Sequence, residues 1–376
     1  MKWFGRKAAR EAGRPFLFAG FRHVFAGEPW PRSYEAQVRE GYLANPVAQR
    51  AVRLVAESVA WCPIDGDTYL PVPGTGKYVS LVPPLLLETV ASQLLLHGNA
   101  FVQLLLDAQG MPAELFALRP ERVTVEADAS GWPAAYLYKV GEAKARLPAH
   151  DGLGRPSLVH LKAHHPLDDH YGLGCLGAAF AAVAVHNAAA KWNKALLDNS
   201  ARPSGALCYE PSDGGEMSAK QFERLQAELE AQFAGTANAG RPLLLEGGLK
   251  WQAMSLTPAD MDFVGLKAAA AREIALAFGV PPMLLGLPGD STYANYREAN
   301  RALWRLTVLP LAEKILTGIS GALAAWWPGA RLAVDVDQIS ALAEDRERLW
   351  RQVSAADFLS DAEKREMLGF GPASEP

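Results

Sequence analysis

Residues Thr257 to Trp327 constrain this chain most, because two apolar patterns of helical spacing are separated there by a break that a helix does not cross. The first opens with Thr257 as N-cap, Pro258 at the first helical position and Asp260 in the first turn. Its stripe runs through Met261, Val264, Ala268, Ala271, Ile274 and Phe278 to Gly279. Val280-Pro281-Pro282 forbids continuation, and Gly286 to Asn295 has the Gly, Pro, Asp and Ser content of a pliable loop. A longer helix follows, with the stripe Trp304, Val308, Leu311, Ile315, Ile319, Leu323 and Trp326. Pro310 predicts a kink in it and Pro328-Gly329 its end.

Upstream, Asn45-Pro46 opens a helix with the stripe Val47, Ala51, Leu54, Val55, Ser58 and Val59, and a loop rich in Gly and Pro follows. Leu81 to Leu96 predicts a second helix, closed by Gly98. Short strands are expected at Phe101 to Leu106, Glu114 to Leu118, Val123 to Glu126, Trp132 to Val140 and Leu158 to Leu161, an α+β pattern. Leu176 to Asn199 is a helix crowded with alanine, whose small side chains let helix axes approach closely. Beyond it come a strand at Ser204 to Glu210, an amphipathic helix at Ser218 to Phe233, and a hairpin of Leu243 to Glu246 with Leu249 to Ser255 over Gly247-Gly248. A compact α/β insert thus separates two alanine-rich helices. Arg331 to Asp337 reads as a strand and Ala341 to Leu368 as one polar helical tail.

The 376 residues, 49% hydrophobic and 21% charged, suffice for a large core and exclude intrinsic disorder. A net charge of −4 carries no global sign of nucleic-acid binding, so any DNA contact must come from locally placed Lys and Arg. The three cysteines, Cys62, Cys175 and Cys208, are scattered, which points to a reducing compartment and away from a disulfide framework. The longest wholly apolar run, Ala178 to Val185, falls short of the roughly 20 residues of a membrane span, so no membrane partner is expected. Met1 to Phe25, basic with a short Phe-rich patch, lacks the features of a secretory signal and reads as an ordering arm.

The constellations that invite chemistry mostly fail. Gly74-Thr75-Gly76-Lys77 has Pro71 and Tyr78 where a phosphate loop needs Gly and Ser or Thr. His160, His164, His165, His170, Asp168 and Asp169 are metal-ligating types at a spacing that matches no usual ligand set. With no GxSxG elbow either, no catalytic residue, metal or cofactor is expected. Two alternatives stay open: a metal-dependent hydrolase using His164 to His170, and a monomeric scaffold or adaptor module.

The motif order resembles the portal proteins of long-tailed bacteriophages and related gene transfer agents. The residues that carry it are NPVAQRAVRLVAESVAWCP, LLLHGNAFVQLL, ALRPERVTV, VHLK with GLGCLGAAFAAVA, NSARPSGAL, and REIALAFGVPPMLLG with YANYREANRALWRLTVLPL, spread from Asn45 to Leu311. The resemblance implies an α+β portal-protein fold. It divides into an N-terminal arm (1–34), an α/β wing (35–175), a first stem helix (176–202), a small α/β clip (203–256) and a second stem helix (257–285). A tunnel loop (286–295), a long kinked helix with a wing strand (296–338) and a short helical crown (339–376) complete it.

Further implications are a non-enzymatic ring of about twelve subunits at one capsid vertex of a virion assembled in the bacterial cytoplasm. Its implied partners are double-stranded DNA, the terminase large subunit, a head-tail adaptor and the major capsid protein. Arg297, Arg301 and Arg305 recur every four positions, and Lys267 and Arg272 punctuate the second stem helix. In a ring these would face duplex DNA, although Glu298, Asp290 and Glu273 lie near enough to pair with them instead. The tunnel loop is Gly286, Leu287, Pro288, Gly289, Asp290, Ser291, Thr292 and Tyr293, with Asp290 and Tyr293 best able to touch DNA. On the clip helix, Phe222, Leu225, Leu229 and Phe233 would be buried, leaving Glu223, Arg224, Glu228 and Glu230 as a rim for terminase and adaptor docking.

Overall fold

The computed structural model describes residues 33–66, 69–71, 78–198, 205–209, 218, 220–221, 223–224, 249–253, 263–287 and 292–369. They belong to two units, Met1–Ala179 with Ala275–Pro376, and Phe180–Ile274.

The first unit begins with α1 (Tyr34–Val38), a π-turn (Arg39–Leu43) and α2 (Pro46–Ala60). Asn45 Oδ1 accepts from the amides of Val47 and Ala48 at 3.1 and 3.0 Å, and Pro46 sits where no amide hydrogen is needed. After β1 (Ile64–Gly66), β2 (Tyr69–Pro71) and β3 (Tyr78–Ser80) comes α3 (Pro84–His97), which packs on α2. The expected helix from Leu81 therefore starts three residues late. Pro83 and Pro84 have no amide hydrogen to donate into a helix begun at Leu81, and the residue before each proline is held out of the helical region.

β4 (Asn99–Leu106) lies between β5 (Pro112–Leu118) and β9 (Leu158–Lys162), antiparallel to both. A second antiparallel sheet runs β6 (Val123–Ala127), β7 (Pro133–Val140), β8 (Ala143–Pro148). Phe101, Leu118, Val123, Tyr136, Ala149 and Leu158 form one buried cluster spanning both sheets. β8 is absent from the sequence expectation because Ala-Lys-Ala-Arg-Leu-Pro is almost wholly exposed. Backbone pairing to β7 holds it, and of its side chains Leu147 packs against the buried cluster.

α4 (Cys175–Asp198) buries Leu176, Ala179, Phe180, Val183 and His186 at helical spacing. In the second unit β10 (Gly205–Tyr209) pairs antiparallel with β11 (Leu249–Ala253). Lys220, Gln221, Glu223 and Arg224 are helical; the remainder of that expected helix, and the hairpin turn at Gly247-Gly248, lie outside the described residues. α5 (Phe263–Ala277) is the described part of the second alanine-rich helix, whose expected start at Thr257 also lies outside them.

A 3-10 turn (Pro282–Leu285) leads to α6 (Tyr293–Leu303), a π-turn (Trp304–Val308) and α7 (Leu309–Leu323), one continuous helix of 31 residues. The distortion lies before Pro310 rather than at it. Pro310 has no amide hydrogen to donate and its ring crowds the carbonyl one turn earlier, so that turn widens, and the Leu309 amide bonds to the Trp304 carbonyl. By length and composition this helix is long and apolar enough to cross a bilayer, although no wholly apolar run in it reaches that length. Its apolar side chains Val308, Ala312, Ile315, Leu316, Ile319 and Leu323 are buried in the protein, where α7 packs on α3, β9 and β12 (Leu332–Val334).

β12 is shorter than the expected 331–337, since Asp335 Oδ1 accepts from the Asp337 amide and turns the chain. It pairs antiparallel with β1, where the Gly- and Pro-rich sequence predicts a loop. The polar tail is two helices rather than one, α8 (Ala343–Ser354) and α9 (Asp361–Met367). Ser360 and Glu363 each satisfy the other's backbone amide, so a helix start lies inside the polar run.

Candidate functional site

The densest charge arrangement is built on the long helix. Thr292 Oγ1 accepts from the Asn295 amide at 3.2 Å and caps α6, so Tyr293 stands in the first helical turn and the expected loop ends at Thr292. The Arg297 guanidinium lies 5.7 Å from the centroid of the exposed Tyr293 ring. Arg297, Arg301 and Arg305 share one face by their four-residue spacing.

Opposite them stands the first turn of α8. Glu344 bridges two arginines, with Oε1 at 2.6 Å from Arg297 Nη1 and Oε2 at 2.6 Å from Arg301 Nη2. Asp345 Oδ2 lies 3.6 Å from Arg301 Nε and 3.9 Å from Arg305 Nη1. Glu298 accepts from Arg301 at 3.1 Å, as its spacing suggested. Arg297, Asn300, Arg301, Ser340, Ala341 and Glu344 line a cleft of ≈ 170 Å³. The Arg301 side chain is only 13% exposed, whereas those of Arg297 and Arg305 are 49% and 62% exposed. Glu344 and Asp345 were missed because no local pattern ties them to residues forty or more positions upstream; two acids opening a helix were the sole signal.

Lys267 and Arg272 stand on α5. Five positions apart on α5, they leave the helix in directions about 140° apart. Arg272 is exposed and Lys267 half-buried. The buried His186 of α4 has its pKa lowered by burial first and by Lys267 second. Of the docking rim, Glu223 and Arg224 are exposed, and Glu228 and Glu230 lie outside the described residues. Of the loop, Gly286, Leu287, Thr292 and Tyr293 are described, and Pro288, Gly289, Asp290 and Ser291 lie outside.

The histidine-rich segment is structural. His160 of β9 stacks on Phe101 at 4.2 Å between centroids and meets Tyr136 edge-on at 5.9 Å. Its Nε2 is 3.1 Å from Asn99 Oδ1. Burial drives its pKa down to about 3, aided by the charges of Lys162, His170 and His97, so the ring is neutral. Asn99 also accepts from the Gly172 amide at 2.7 Å and donates to the Gly172 carbonyl at 3.1 Å. Asp168 Oδ1 accepts from the amides of His170 and Tyr171 at 2.8 and 3.0 Å and shapes the turn. Among the described residues, no three His, Cys, Asp or Glu come together in a group that could hold a metal ion. Cys62 is buried, which pushes its thiol up to about 12, far from the reactive range.

Comparison with known proteins places this geometry. The family described as phage portal protein matches residues 83–369. A protein of Rickettsia felis is 41% identical over 353 residues, covering 89% of this chain and 88% of its own length. The probable portal protein of Streptomyces phage phiC31 is 27% identical over 299 residues, 73% of this chain and 63% of its own length. Among solved structures, a chain in the virion of a native gene transfer agent particle superposes with a TM-score of 0.69 at 46% identity, covering 93% of this chain and 97% of that one. An HK97-family phage portal protein from Corynebacterium diphtheriae, 17% identical with a TM-score of 0.53 over 80% of this chain and 98% of its own, shares the fold. The motif order, the two sheets with the long π-kinked helix and these matches lead to one conclusion: the chain belongs to the phage portal protein family.

Proposed function

We propose that this chain assembles into the closed portal ring of a gene transfer agent or phage particle, in the neck at one capsid vertex, and conducts duplex DNA inward during packaging and outward on delivery. The match to a chain of the native gene transfer agent neck, whose structure was computed with C12 symmetry, carries this reading: it covers 93% of this chain and 97% of that one. That symmetry supports a ring of twelve subunits. The family is structural, and the chain acts as a conduit without catalysis of its own.

Within this reading the terminase large subunit and then a head-tail adaptor dock on the clip, 203–256, through the rim that includes Glu223 and Arg224, and the major capsid protein holds the wing. The segment from Gly286 to Thr292 forms the tunnel loop. Lys267 and Arg272 present cations that ring symmetry repeats in every subunit. The chain is tested by measuring the mass of the purified protein in solution and imaging it in negative stain. Closed rings with a central hole are expected, whereas a monomer at all concentrations and salt conditions would overturn the reading.

A further inference from the structure

We propose that the arginine ladder of the long helix is a surface for the phosphate backbone of duplex DNA, and that α8 covers it with its first-turn acids until DNA displaces them. The proposal rests on the portal reading, which brings DNA to the protein.

The ladder alternates in sign. Glu344 lies between Arg297 and Arg301, and Asp345 between Arg301 and Arg305. Glu344 offers one oxygen to each of two guanidiniums, the two-oxygen recognition that arginines give a phosphate. Arg301 Nε is buried and lies 3.6 Å from Asp345 Oδ2, an ion pair too long to be a hydrogen bond. Three arginines stand against Glu298, Glu344 and Asp345, so 3 − 3 leaves the covered surface neutral, and withdrawing the two α8 acids leaves it at +2.

The cover has few buried apolar contacts, and its Arg346 pairs with Asp337 and donates to the Leu368 carbonyl, both at 2.7 Å. Among its residues α8 buries Val353 alone, and Glu344 is half exposed, so salt screens its pairs with the ladder. Duplex DNA carries one charge per about 1.7 Å and gains from counterion release at each phosphate neutralised, a gain the intramolecular carboxylates do not have. Because Arg297 also lies over Tyr293, exchange at the ladder reaches the first residue of α6.

In purified full-length protein, hydrogen exchange of residues 343–354 is measured alone, with a short duplex, and with inorganic phosphate at equal ionic strength. Duplex affinity is measured against salt for the parent, Glu344→Gln with Asp345→Asn, and Arg297→Gln with Arg301→Gln. The duplex, and not phosphate, is expected to raise exchange in α8. The acid-neutralised variant is expected to bind duplex about 3- to 10-fold tighter, and the arginine variant to bind more weakly with a shallower salt slope. Unchanged α8 protection with bound duplex, or unchanged affinity in the acid-neutralised variant, overturns the proposal. Release by inorganic phosphate alone overturns duplex DNA as the occupant. Ring size in the same preparations reports separately on the portal reading.

Discussion

At the scale of single residues, His160 shows how a histidine with metal-ligand chemistry becomes a core group. Burial disfavours the charged ring, and the neutral ring stacks on Phe101 with its Nε2–H donating to Asn99 Oδ1. Its pKa falls from an ordinary 6.5 to about 3, so as pH drops through that window the unfolded chain takes up the proton first. Stability present above pH 6.5 is therefore lost toward pH 3, with a slope of at most about 1.4 kcal/mol per pH unit from this group. His160→Gln keeps a polar partner for Asn99 and removes the titration. We expect it to cost about 1–2 kcal/mol at pH 7 through lost stacking and to flatten the decline between neutral and acid pH. Urea midpoints at pH 7 and pH 5 measure both effects; an unaltered pH slope would show that His160 does not titrate in that window. His186, also held down by burial, keeps a residual slope.

At the scale of elements, the junction from α3 into β4 turns on Gly98. It ends the helix at φ 80°, and a Cβ there would lie 2.4 Å from the Leu173 carbonyl carbon and 2.5 Å from the Gly174 nitrogen. Backbone atoms cannot yield as a flexible side chain can, so Gly98→Ala is expected to destabilise by about 3 kcal/mol or more. Gly141 has φ 58° with nothing within 4 Å, so Gly141→Ala is expected to cost only about 1 kcal/mol, the conformational penalty alone. Equal losses in denaturant titrations would show that the close approach of 172–174 does not matter. The helix end was legible from Gly98 itself, whereas the packing of 172–174 against it was not, because nothing near Gly98 specifies what arrives from more than seventy positions away.

At the scale of the whole molecule, the segment before the long helix is expected to act in the assembled ring rather than in the fold of one subunit. The Thr292 cap sets where the rigid helix begins, so replacing Leu287 to Ser291 with a short Gly-Ser link while keeping Thr292 should leave ring formation intact. Packaging and retention of DNA are expected to fall in particles built with such rings. Normal packaging and retention would reduce the segment to a connection.

The sequence by itself determined what acts over a few residues: the Asn45 cap with Pro46, the Gly98 stop, the alanine-rich helix α4, the buried stripe of the long helix, and the motif order that marks the family. Caps, proline geometry and helical periodicity depend on near neighbours, so they survive in one dimension. Only the tertiary structure decided the pairing of β1 with β12, the addition of β8, the neutral stacked state of His160 and the partners of the arginine ladder. Each depends on which surface folding brings opposite, and backbone ladders between exposed strands and carboxylates forty or more positions from their arginines leave no period in the sequence to read.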